Sequence, residues 1–66
     1  MLPYQERVVA EKSELDERLA KLDAFGRTES FASLPSEEQG LLNRQHSVME
    51  EYSRILGERI AVFVAV

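Results

Sequence analysis

Sixty-six residues with eight Lys and Arg against twelve Asp and Glu carry a net charge of −4, with no cysteine and a single histidine. Disulfides and thiolate metal sites are thereby excluded, the lone His46 leaves little for a zinc site built from imidazoles, and the acidic balance argues against a DNA or RNA polymer as partner. So short a chain holds one domain, residues 1–66, and buries too little surface to be comfortably stable alone; with no staple in the sequence, oligomerisation is the expected remedy.

No basic-then-apolar leader opens the chain and no apolar run approaches membrane-spanning length, so the expected location is the cytoplasm, away from the membrane. Pro3 suits a first helical turn, and Glu6 sits where the helix dipole favours negative charge. Val8, Leu15, Leu19 and Leu22 then line one stripe that Tyr4 extends, predicting helix 1 over about 3–24. Gly26 is placed as a left-handed C-terminal stop. The i, i+4 pairs Arg7/Glu11, Glu14/Arg18 and Glu17/Lys21 support the helix.

Residues 25–35 form the connection, with Thr28 capping a short helical turn that holds Phe31, and with Phe31 and Leu34 plugging the end of a hairpin. Ser36 to Gln39 reads as a capping box that opens helix 2 over about 36–64. Leu41, Leu42, Val48, Met49, Tyr52, Ile55, Leu56, Ile60 and Phe63 fall in an arc of about 140° on that helix, wide enough for more than one partner helix. Gln45 and Arg59 lie within the arc. Gly57 marks either close approach of another backbone or a tolerated surface glycine.

The fold class is therefore all-α, an antiparallel helical hairpin that assembles into a homo-oligomer. Setting Ala24 opposite Glu37 brings Tyr4 level with Gly57 to Arg59. Helix 2 then overshoots, leaving the uncharged run IAVFVAV over 60–66 for other copies to cover.

Tyr4 with Arg7, Arg18 and Lys21 on helix 1, and Arg59 opposite, is the strongest constellation. An aromatic face stacks on a base and guanidinium forks grip phosphate oxygens, so these five are the candidate ligand-binding residues. The plain alternative is a core-edge tyrosine, arginines paired with helix carboxylates, and an interface ion pair for Arg59. His46 with Glu50 is better read as a solvated helix pair than as a metal site. No nucleophile sits beside a base and no phosphate-binding glycine loop occurs, so neither an enzyme nor a cofactor is expected.

Tyr4-x-x-Arg7, Glu11, Leu15, Leu19 to Leu22, Phe25, Phe31-x-x-Leu34-Pro35, Glu38-Gln39, Leu41-Leu42, Gln45, Met49, Tyr52, Leu56 and Arg59-Ile60 together resemble a family of small phage proteins that block the CBASS defence. These act as sponges for the cyclic oligonucleotide messengers that activate the host's effectors. The resemblance implies a helical hexamer with pockets between protomers, a non-catalytic role in the infected cell, and an N-terminal tyrosine, Tyr4, stacked on a base of a cyclic dinucleotide such as cyclic GMP–AMP. It implies Arg18 or Lys21 as a phosphate contact, and Arg59 in a second pocket type suited to cyclic trinucleotides. A structural or protein-binding hairpin without a small ligand is the rival reading.

Overall fold

A computed structural model describes residues 1–65, with side chains as far as Phe63. It is a rod of 48 × 14 × 14 Å made of helices α1 (Pro3–Phe25), α2 (Glu29–Ala32) and α3 (Ser36–Ala65), with α1 and α3 packed antiparallel along their length. The expected hairpin of two long helices joined by a short helical turn is what forms.

At the start of α1, Gln5 Oε1 accepts the Leu2 backbone N–H at 2.9 Å, satisfying a donor that the first turn would otherwise leave open. At its end Gly26 is not left-handed as expected; it sits at φ −61°, ψ −13°. Arg27 N–H donates to Ala24 O at 3.2 Å and Thr28 N–H to Phe25 O at 3.0 Å, so the helix winds down through tighter i→i+3 bonds that need no positive φ.

Thr28 caps α2 through its hydroxyl, which accepts Phe31 N–H at 3.2 Å and donates to Phe25 O at 2.6 Å. Phe31 packs edge-on against Phe25 with ring centroids 6.0 Å apart, closing the hairpin end. The capping box expected at Ser36 is replaced by another device. Ser36 already lies within α3, and Gln39 Nε2 donates to Leu34 O at 2.8 Å and Ala32 O at 3.2 Å, tying α3 to the connection.

Among the described residues Val8, Leu15 and Leu56 are the buried apolar residues, with Met49, Ile60 and Phe63 packed around them. On α3 the half-buried or buried side is Gln39, Leu42, His46, Met49, Ser53, Leu56, Ile60 and Phe63, alternating steps of three and four residues as a coiled-coil seam does. Val8, Lys12, Leu15, Leu19 and Leu22 answer it from α1 with the same steps.

Two expectations are corrected here. The register differs by more than a turn, because Tyr4 meets Phe63 at 5.5 Å rather than the level of Gly57 to Arg59. The first turn of α3 runs beside the connection, held there by Gln39, and the end of α1 comes level with α3 at Leu42 to His46, which line one cavity with Leu22 and Asp23. The longer overlap also shortens the expected overhang, since Ile60 and Phe63 pack against the core while Ala61 and Val62 stay exposed. The side chains of residues 64–66 lie outside the described residues.

Candidate functional site

Tyr4 projects from the first turn of α1 and is about half exposed, its ring meeting Phe63 at an interplanar angle of 83°. That edge contact fixes the phenol at the open end of the rod. Arg7 lies one turn on, and Arg59 one turn before Phe63, so Tyr4, Arg7 and Arg59 share this end. All three are exposed. Arg18 and Lys21 stand on the same flank of α1, but fourteen and seventeen residues beyond Tyr4 place them about 21 to 26 Å along the axis. The five candidates therefore split into two groups within one copy, and no single hairpin brings them together.

Of the helix pairs expected to occupy these cations, only Glu17 with Lys21 forms, at 3.5 Å and largely exposed. Among the described residues Arg7, Arg18 and Arg59 make no ion pair. The expected pairing of Arg7 with Glu11 and of Arg18 with Glu14 is thus not what the helix adopts. Arg59 and Gln45, which fall within the apolar arc, are exposed, because the seam facing α1 lies one residue further on.

The opposite side of the rod carries polar clusters that the apolar pattern did not announce. Lys12 Nζ donates to Asp16 Oδ2 at 2.9 Å and to Ser53 Oγ at 2.8 Å, while Ser53 Oγ donates to Asp16 Oδ1. The Ser53 hydroxyl first, and then Lys12, hold the Asp16 carboxyl below its usual range. A lysine breaking the stripe between Val8 and Leu15 was the available signal. His46 stands between Asp23, 3.5 Å from Nε2, and Glu50, 3.4 Å from Nδ1. These carboxylates flank opposite ring nitrogens, so they do not converge on one point as metal ligands must. The cavity beside them, lined by Asp16, Asp23, His46 and Glu50, is acidic and repels a phosphate.

Chemically, then, one broad side is acidic and internally bonded, and the other joins an aromatic ring and unpaired guanidinium groups to the exposed edge of α3. Fold and surface together define a small helical hairpin with an exposed flank that carries Tyr4 and the arginines Arg7, Arg18 and Arg59. A sequence-family model described as Sequestin matches residues 2–62, and the chain belongs to the Sequestin family. The family's name denotes sequestering, in keeping with the sponge family that the sequence resembles. No match was found among curated proteins or solved structures. Among the described residues no helix is long and apolar enough to cross a membrane.

Proposed function

We propose that this protein sequesters a cyclic oligonucleotide messenger, cyclic GMP–AMP or a relative, without cleaving it, and so blunts CBASS defence in the cytoplasm of an infected bacterium. The observation that carries this reading is Tyr4 fixed at the rod's end beside exposed, unpaired Arg7 and Arg59. Stacking on Tyr4 supplies roughly 1–3 kcal/mol, and phosphate oxygens accept the charge-assisted bonds of the arginines. Nanomolar capture needs about −12 kcal/mol, more than one exposed end offers. A pocket closed between copies of a homo-oligomer, with Tyr4 of one facing Arg18 and Lys21 of another, provides the rest. Cyclic trinucleotides extend the same logic through Arg59, and no metal or cofactor enters.

The test is to incubate the protein with labelled cyclic GMP–AMP, remove free ligand and heat. Release of intact ligand is the expected result. Release of cleaved ligand identifies an enzyme, and absence of retention identifies a structural hairpin; either outcome overturns the proposal.

A further inference from the structure

Tyr4 is the second residue of α1, directly after Pro3, so no earlier turn of its own helix lies beneath its ring. Helical side chains lean back over the preceding turn, and here that surface is missing. Support for the ring has to come from outside α1. Phe63, near the end of α3, supplies it, with ring centroids 5.5 Å apart and planes at 83°. Among the described residues it is the one aromatic ring set against Tyr4.

Phe63 is itself anchored. It is half-buried and packs, with Ile60, against the core of Val8, Leu15 and Leu56. Tyr4 and Val8 are one turn apart on the same side of α1, so the two rings meet where the core gives way to the open end. A perpendicular neighbour covers at most one face of the phenol ring, and Tyr4 remains 47% exposed. The ring is held while a face stays open.

We infer that Phe63 is a positioning residue: without touching the ligand, it fixes the Tyr4 ring in the orientation on which a nucleobase stacks. This rests on the sequestering role proposed above, and it assigns part of the affinity to the opposite helix. Stacking a base on a loose side chain costs that side chain its freedom, whereas a ring already restrained by a packed neighbour has given it up on folding. The ordering cost of one such side chain corresponds to roughly 2- to 12-fold in affinity.

The experiment compares Phe63→Leu, which keeps apolar bulk against the core but removes the ring, with Phe63→Tyr, which keeps the ring. Retention of labelled cyclic GMP–AMP should fall roughly 2- to 12-fold in Phe63→Leu and stay near the parent level in Phe63→Tyr. In a Tyr4→Ala chain, Phe63→Leu should cause no further loss, because the ring through which it acts is gone. Helical circular dichroism checks that each variant is folded, and Phe63→Met takes the place of Phe63→Leu if the latter is not.

A second measurement needs no ligand. The chain has two tyrosines and no tryptophan, so with Tyr52→Phe the near-ultraviolet dichroism of tyrosine comes from Tyr4 alone. Adding Phe63→Leu to that chain should weaken the Tyr4 band and leave the helical signal intact, since a freed ring loses its fixed surroundings. Unchanged retention in Phe63→Leu, an equal loss with and without Tyr4, or an unaltered Tyr4 band would each overturn the assignment. A parent chain that retains no nucleotide would overturn the sequestering reading instead, and the Tyr4 band would then decide by itself whether Phe63 holds the ring.

Discussion

Lys12 and Ser53 meet across the two long helices at 2.8 Å, from residues forty-one apart in sequence, and Asp16 closes the triangle from the next turn of α1. Each polar atom of this cluster reaches a partner, and among the described residues no buried polar side chain is left without one. A polar layer inside an apolar seam costs stability if misaligned, so it specifies register as buried polar residues do in coiled coils. Removing the hydroxyl with Ser53→Ala should cost about 1 kcal/mol in urea unfolding, the net worth of a typical hydrogen bond. A neutral result would show that Lys12 and Asp16 hold the register without it.

Acid should loosen the same layer. Because the Asp16 carboxyl is held below its ordinary range by Ser53 and Lys12, its contribution is fully present above the unfolded value of about 3.9. It is lost as pH falls through the folded value. Unfolding midpoints measured from pH 6 down to pH 2 should fall more steeply for the parent than for Asp16→Asn. Parallel curves would remove Asp16 from the linkage.

Leu56 is 1% exposed and sits in a core whose other buried apolar residues, among those described, are Val8 and Leu15. Leu56→Ala should cost about 2–5 kcal/mol, comparable to all the stability that a core this size supplies. The variant should therefore lose helical circular dichroism at 25 °C, and a folded variant would show that stability resides outside the hairpin core.

Gly40 and Gly57 predict gains. An added Cβ meets nothing within 4 Å at Gly40, and at Gly57 only Lys12 Cε at 3.4 Å, an ordinary van der Waals contact and not the backbone that was one reading of this glycine. Each change to alanine in mid-helix should stabilise by about 1 kcal/mol through propensity. Thermal melts that fall instead would reveal a neighbour lying close to that position in the assembly.

Tyr4 should show two separable effects. Tyr4→Ala should cut ligand retention roughly 5- to 150-fold if stacking supplies about 1–3 kcal/mol, while Tyr4→Phe keeps the ring and most of the affinity. Both are measured against thermal stability, since the Phe63 contact is itself worth about 0.5–1.5 kcal/mol. Equal affinities for parent and Tyr4→Ala would take the base off this ring.

The two long helices and the Phe31 turn were legible because periodicity, Pro3, Thr28 and the absence of an interior proline all agree locally. Which side of α3 faces α1 was not. Leu41 and Leu42, Val48 and Met49, Ile55 and Leu56, Val62 and Phe63 are adjacent apolar pairs, so a helical wheel merges two seams into one arc. Polar residues break the tie: Ser53 and His46 find Lys12, Asp16 and Asp23 on α1, whereas Gln45 and Arg59 on the other seam find no partner there. The register escaped for a related reason: the Lys12–Ser53–Asp16 layer crosses between the helices, and Gln39 reaches back to the carbonyls of Ala32 and Leu34, contacts that no spacing rule encodes. The candidate cations were legible as residue types, but their division between two levels of the rod follows only from helical rise.

The bonded acidic clusters all sit on one long side of the rod, and that sidedness limits how copies can gather. A particle with grease on a single side and fixed negative charge behind it turns its charge outward as it associates. Were copies to associate through that greasy side, growth would stop once it is covered, giving a closed cluster with a water-loving shell instead of an open fibre.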